Sequence, residues 1–586
     1  MIHIRRPWIP LAGAALLAVF SISPTVSSAA QSSATSTTAT PIKHLVVIFQ
    51  ENVSYDHYFG TYPFAANTNG QIFQAEENVA NNNLVSTKGA GGAGNLLTNN
   101  PNLANPRRYS PTNVNDILTC DQDHNYNDQQ KAVDGGAMDK FVQSVGNGGP
   151  GKSPEGVVCN ANDVMNYYDG NTVTALWNYA QRFAMSDNSW DTTFGPSSPG
   201  AINLISGNTG TVALMIKPPN NTVSNGHGGF TLIGDDQPYY DDCSTRDAVS
   251  LSGLNIGDLL NAQGLSWGWF QGGLKPTTTF KAATGGTQPT STFNPDQFSG
   301  KFNTPPASNQ GLCNAVHPVG IAAGGVGQYG FKDDYIPHHE PFMYYASTAN
   351  PHHLSPASIA AIGTDTQTFV GGVPQFDTAN HQYDMSDFDA LVAAINHGLI
   401  SPDHLPAVSF LKAPGYQDGH AAYSDPYDEQ QFIVNEINAL EHTPDWASTA
   451  VVIAYDDSDG WYDHAFAGVK NPSNTSQDFL TGIGACGSAT APRLGDDQGR
   501  CGYGPRQPFL VISPLARHGK VDHTFTDLTS IIRFTEDNWH LPRIAGSFDS
   551  IAGPLSGMFD FENEGDGQKL FLDPTTGQRL GSGSGD

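Results

Sequence analysis

Positive charge is what this chain has least of: 27 Lys and Arg stand against 56 Asp and Glu in 586 residues, a formal charge of −29. Nucleic-acid grooves and anionic lipid surfaces are held through clustered Lys and Arg, so nucleic acid is not expected as a partner and neither is electrostatic docking on a membrane. A site for an anionic substrate must then draw its positive potential from a metal ion, from histidines or from a helix amino terminus. Cysteine is also sparse, six in all, and no two form a C-x-x-C pair. That argues for disulfides over thiolate metal ligands in an exported chain. Nearest-neighbour pairing predicts Cys120 with Cys159, Cys243 with Cys313 and Cys486 with Cys501. Beyond the amino terminus no apolar run approaches membrane length, so no stable membrane anchor is expected.

What is present begins with residues 1–30, which read as a secretory signal peptide. Arg5 and Arg6 supply the charged start, 11–20 the apolar centre and VSSAA the small-residue cleavage region, so a secreted or periplasmic location is expected. Residues 31–41 have the composition of a disordered leader. Residues 45–49 then form a continuous β-branched and aromatic run, the pattern of a strand buried on both faces of a parallel sheet. It stops at Glu51 and Asn52. Residues 449–455, TAVVIAY, repeat the pattern and stop at Asp456 and Asp457.

Further strands are predicted at 405–411 and 508–513, and helices at 172–183, 387–397, 428–440 and 526–539, an alternating α/β series. Ligands of open α/β sheets bind at the carboxyl edge of the strands, so the two polar pairs are predicted to share one edge. All four residues offer oxygen, which suits a hard or borderline divalent cation. The DDSDG run misses the calcium-loop spacing, because Tyr455 stands where the first acid belongs.

In FGPSSPGAINLISG, Gly195, Pro196 and Pro199 force a turn and 201–205 begin a helix, with Ser197 or Ser198 as its cap. Free N–H groups there favour an anion, which makes a hydroxyl at that position a candidate nucleophile towards phosphorus. His124 lies in the dense polar run TCDQDHNYNDQQ, and His420 follows the 405–411 strand in QDGH. Adjacent His338 and His339 rarely converge on one point, so one at most is expected to face a site. Lys412, Asp418, Asp459, Asp463 and His464 read as turn and supporting residues.

Taken together, QENVSYDHYFG, FGPSSPGAINLISG, YIPHHEPF, the QDGH ahead of SDP, YDDSDGWYDH and RFTEDNW resemble, in order, the bacterial phosphoesterase family of secreted phospholipases C and acid phosphatases, within the alkaline-phosphatase-like superfamily. The resemblance implies an α/β fold, a three-layer α/β/α sandwich with a mostly parallel central sheet and long loop insertions. It implies one phosphoesterase domain at 42–545 and a carboxyl-terminal extension at 546–586 whose end is disordered. It also implies one divalent metal ion (Zn, Ca, Mg or Mn) on Glu51, Asn52, Asp456 and Asp457, and Ser197 as the nucleophile. Phosphate contacts fall to His124, His420 and one of the paired histidines, His339 by family pattern.

The implied reaction is hydrolysis of a phospholipid or a soluble phosphate monoester through a phosphoseryl intermediate. Cationic histidines would favour mildly acidic pH. One departure concerns Gly200 and Ala201, where relatives often carry Asn and then Arg. The alternatives are a sulfatase-like hydrolase, whose S-x-P-x-R signature fails at Ala201, and a non-catalytic exported binding protein.

Overall fold

The computed structural model describes residues 38–70, 72–76, 95–146, 153–216, 221–275, 315–324, 329–480, 486–487, 494–562 and 568–581. The expected signal, most of the leader, Cys313 and most of the GSGSGD end lie outside them.

Eight strands make the central sheet: β1 (His44–Gln50), β2 (Ala184–Ser186), β3 (Trp267–Gln271), β4 (Gln382–Asp384), β5 (Val408–Lys412), β6 (Thr449–Tyr455), β7 (Phe509–Ile512) and β8 (Lys520–Asp522). Their spatial order is β4-β3-β5-β1-β6-β7-β2-β8. Every neighbouring pair is parallel except those of β7, which runs against both β6 and β2. The fold is therefore α/β with a mostly parallel sheet, as expected. Strands β1 and β6 are buried at every position, as their uninterrupted apolar runs require in a sheet covered on both faces.

Two strand boundaries differ from the sequence reading for one reason. Pro406 and Pro508 have no N–H for a ladder, so β5 starts at Val408 and β7 at Phe509. Strand β5 also runs one residue further than expected, because Lys412 pairs with Gln271 of β3.

The helices that matter here are α1 (Tyr55–Phe59), α2 (Thr174–Arg182), α3 (Ser197–Ile205), α4 (Ile256–Gln263), α5 (Met385–Asn396), α6 (Pro426–His442) and α7 (Thr529–Trp539). Helix α6 begins earlier than expected because Asp425 caps it, accepting from the N–H groups of Tyr427 and Asp428, with Pro426 in the first turn. Helix α7 begins later, because Thr526 and Asp527 pair with Ser189 and Trp190 as short strands. After residue 545 the chain returns over α2 and α6: Asn178 donates to the Gly577 carbonyl and the Leu570 N–H donates to Glu441. Among the described residues no helix is long and apolar enough to cross a membrane.

Cys120–Cys159 and Cys486–Cys501 are bridged as predicted; the third expected bridge involves Cys313 and lies outside the described residues. Cys120–Cys159 spans 39 residues and closes the loop that carries Asp121 and His124. Replacing both of its cysteines by Ser is expected to lower stability by about 4 kcal/mol through loop-closure entropy. Urea denaturation checks this, and a loss under about 1 kcal/mol would mean that packing alone holds the loop.

Candidate active site

The register of β1 against β6 sets Gln50 opposite Tyr455, so the next residues of both strands leave the sheet side by side. Glu51, Asn52, Asp456 and Asp457 emerge there, none more than 1% exposed. Asn52 adopts φ 40°, a left-handed conformation that Asn tolerates better than most residues. Its N–H donates to Asp456 Oδ1 at 3.1 Å, and the same oxygen accepts from the Asp457 N–H at 2.8 Å. Asp457 Oδ1 accepts from the Asp459 N–H at 2.6 Å. The remaining oxygens turn towards Ser197, whose Oγ lies 3.1 Å from Glu51 Oε2, 3.4 Å from Asp457 Oδ2 and 3.5 Å from Asn52 Oδ1. A hydroxyl has one proton and can satisfy only one of the three.

Burial and the Asp456 charge push the Glu51 carboxyl well above the usual range, with Lys412 opposing. Burial and Asp456 do the same to Asp457, with His124 opposing. Three carboxylates gathered this closely, with an amide oxygen and a hydroxyl, form an all-oxygen set suited to a hard divalent cation.

The Asn52 amide makes the point sharper. In one orientation its carbonyl oxygen faces only acceptors, Glu51 Oε2 at 2.7 Å and the Asp456 oxygens at 2.9 and 3.2 Å; turned over, its NH2 donates to them and its carbonyl meets His420 Nε2 at 3.2 Å. The turned form asks His420 Nε2 to donate. Yet His420 Nδ1 faces the Ala421 carbonyl, which places the single proton of a neutral imidazole on Nδ1. Burial brings the His420 pKa down to about 4, so at neutral pH the ring is neutral and Nε2 accepts. The orientation that suits His420 turns the Asn52 carbonyl onto the carboxylates, whereas the turned form suits the Nε2–H of a cationic His124 3.5 Å away. In the first, a cation among those oxygens or a proton on Glu51 would satisfy the carbonyl.

Ser197 is the first residue of α3 and Pro196 its cap position, so neither serine caps the helix as the sequence suggested. Ser198 is turned away: its N–H donates to Asp235 at 2.9 Å and its Oγ accepts from the Tyr344 hydroxyl at 3.2 Å. Gly200 is what lets α3 approach this closely, since a Cβ there would lie 2.3 Å from the Asp456 carbonyl oxygen. The departure at this position therefore accompanies close packing of α3 on the turn after β6.

Gly200→Ala is expected to cost activity despite a gain of about 1 kcal/mol in helix propensity, because the obstacle is backbone and overpacking costs about 1–3 kcal/mol. A displaced Ser197 should lower kcat at least about tenfold. Wild-type kcat and Tm in this variant would show that α3 has room to move.

His124 is buried beside the Asn52 amide. Its Nδ1 faces the Gln122 carbonyl at 2.9 Å and Asp459 Oδ1 at 3.1 Å, and its Nε2 lies 3.5 Å from the Asn52 amide nitrogen. Burial opposes its charged form, but Asp457, Asp459 and Asp121 outweigh burial and hold it well above the usual histidine range. His339 is buried with Nδ1 3.1 Å from Glu51 Oε1, whereas His338 Nδ1 faces Arg246 Nη2 at 3.3 Å. Burial and Lys412 push His339 well below the usual range. Of the three site histidines only His124 is cationic near neutrality, so the expected acid preference finds no support in His339 or His420.

Three residues read as supporting stand inside the site. Lys412 at the end of β5 pairs with Glu51 Oε1. Glu51, His339 and Asp418 hold ligand-type atoms within 4.8 Å of one another, as do Asp121, His124, His420 and Asp459. Lys412 was detectable as the polar end of the third buried strand; Asp418 and Asp459 sit in turns and carried no such signal. Asp463 and His464 lie apart, in a buried network with Asp56 and Arg506.

Comparison with known proteins gives a consistent result. Residues 42–318 and 278–542 match the Phosphoesterase family. A non-hemolytic phospholipase C of Burkholderia pseudomallei is 23% identical over 554 residues, 92% of this chain and 61% of that protein. In Pseudomonas aeruginosa a hemolytic phospholipase C is 31% identical over 173 residues (29% of this chain, 23% of that protein), and a non-hemolytic one 32% identical over 166 (27% and 24%). The chain thus spans under two thirds of the length of each of these relatives.

Proposed function

The chain belongs to the phosphoesterase family, and from that premise we propose that it is a metal-dependent hydrolase of phosphate esters acting through a phosphoseryl intermediate. The single observation that carries the reading is Ser197 Oγ at the start of α3, 3.1–3.5 Å from three oxygen-bearing groups at the ends of two parallel strands. An alkaline-phosphatase-like three-layer arrangement around the sheet, in one domain over 42–545, is part of the same proposal, as is export.

Glu51, Asn52, Asp456 and Asp457 would hold a divalent ion, which when bound supplies a Lewis acid for the phosphoryl oxygens and a lowered pKa for the serine hydroxyl. Ser197 Oγ attacks phosphorus in line with the leaving oxygen, and a Ser197–phosphate bond replaces the ester bond while the serine proton is released to solvent and the departing alkoxide takes one up as the alcohol. Cationic His124 stands where a non-bridging oxygen gains charge and stabilises it. His420, neutral with Nε2 unprotonated, takes a proton from the water that cleaves the phosphoserine. His339 and Lys412 both engage Glu51 Oε1 and fix its carboxylate.

Release of p-nitrophenol from p-nitrophenyl phosphate and from p-nitrophenyl phosphorylcholine separates monoester from diester action. With chelator the rate should fall at least about a hundredfold and return on adding one divalent ion. A rate indifferent to chelator, in protein shown by elemental analysis to be metal-free, would sink the metal role, and no release from either ester would sink the phosphoesterase reading.

A further inference from the structure

Two cations near the site are not used by this mechanism. Lys332 lies on a short hairpin of Val316–Pro318 and Phe331–Asp333, where it pairs with His317 and shares its face. His317 anchors that face: its ring stacks on Tyr416 at 4.4 Å and its Nδ1 lies 2.6 Å from Asp334 Oδ1. Lys332 Nζ stands 3.9 Å from the centre of the Tyr423 ring, and Tyr423 stacks on His420 at 4.3 Å. Arg246 reaches the site from the other side, with Nη2 against His338 Nδ1, and the His338 ring lies 4.4 Å from that of His339. Each cation is thus one ring removed from a site histidine.

Neither stands in a close ion pair among the described residues, although Asp235 and Asp236 feel the Arg246 charge and Asp418 and Asp333 favour the Lys332 ammonium against its burial. Asp235 accepts from the Ser198 N–H while also lying near His338 and Arg246, and Asp333 points to the opposite face of its strand from Lys332. His338 accepts from Arg246 at Nδ1, so its neutral ring carries the proton on Nε2 and adds a donor. In a chain with 56 acids and 27 bases, two cations outside any close ion pair and a donor beside one acidic site are a local concentration of positive groups.

We infer that Lys332, Arg246 and His338 form a second anion subsite beside the phosphoryl site, so that the preferred substrate is a phosphate ester whose alcohol part carries a further anionic group, a carboxylate or a second phosphate. This rests on the phosphoesterase reading and narrows it: esters of cationic alcohols such as choline are disfavoured by the same charges. Lys332 gains an additional hold from the face of the Tyr423 ring.

Titration calorimetry on metal-loaded Ser197→Ala protein, which cannot turn the ligands over, tests it. 3-Phosphoglycerate should bind at least about tenfold tighter than glycerol 3-phosphate, fructose 1,6-bisphosphate similarly tighter than fructose 6-phosphate, and phosphocholine weakest. The first two comparisons separate a carboxylate from a second phosphate, and preference in either supports the subsite. Adding Lys332→Met and Arg246→Gln should reduce the preference to within about twofold while the Kd of glycerol 3-phosphate moves less than about threefold. Phosphocholine binding as tightly as both doubly anionic ligands overturns the subsite, as does an equal loss for every ligand in the double variant. Failure of all five to bind overturns the phosphoesterase reading and the subsite with it.

Discussion

Ser197→Ala should lower kcat by on the order of 10⁴-fold or more and leave Tm within a few degrees of wild type. The large kinetic effect follows from covalent catalysis, since water has no preorganised route to phosphorus when the attacking oxygen is deleted. The small effect on stability follows from local structure. Ser197 has no capping bond in α3, and its hydroxyl serves three acceptors of which it can satisfy one. Ser198→Ala is the matched control: it removes contacts to Tyr344 and the Asp236 carbonyl and keeps the nucleophile, so its kcat should stay within about tenfold of wild type. Residual Ser197→Ala activity within tenfold of wild type would end the phosphoseryl mechanism, and trapping of phosphate on Ser197 by intact mass at low pH would support it independently.

Asp456→Asn should separate metal binding from folding. Asn keeps the size of the side chain and an oxygen for the Asn52 and Asp457 N–H groups, while a charge leaves the cluster. Metal occupancy and kcat are expected to fall together, kcat by about 10³-fold, because the charge needed to hold the ion and compensate it is reduced. Stability without metal should move the other way, since Asp456 raises the pKa of both Glu51 and Asp457 and its removal relieves that repulsion.

The pH dependence has a definite sign. Carboxyls whose pKa is raised in the folded state bind protons more tightly there than in the unfolded chain. Metal-free wild type should therefore be most stable in mild acid and lose stability as pH rises from the ordinary carboxyl range, about 4, through the raised values. Bound metal or Asp456→Asn should flatten that slope. Denaturation at several pH values, with metal content measured in parallel, checks both expectations; a metal-free protein that gains stability from pH 5 to 8 would contradict the cluster's electrostatics. Glu51→Ala is a poorer probe, because it would strand the buried Lys412 ammonium at a cost of about 3–5 kcal/mol and confuse misfolding with metal loss.

Much of the metal-type cluster was legible because it follows from local pattern. Two apolar runs too short for anything but buried strands each end in paired oxygen ligands, and parallel strands bring such ends to one edge. His339 was separated from His338 only by family pattern, and the distinction is tertiary: one faces Glu51 and the other Arg246. Lys412 stood at the polar end of the third buried strand, but its pairing with Glu51, like the place of Asp418, depends on β5 lying beside β1, with Leu411 opposite Ile48, which no local pattern specifies. The three histidines divide for a physical reason: burial lowers His420 and His339, whereas surrounding acids raise His124.

By itself the sequence determined the polar ends of β1 and β6, the turn before α3, the two described disulfides and the scarcity of positive charge, since these are properties of short segments and of composition. Only the tertiary structure decided which serine faces the carboxylates, which histidine is charged, and where the few cations stand. Those depend on register, on the close approach that Gly200 permits, and on how deeply each group is buried among the others.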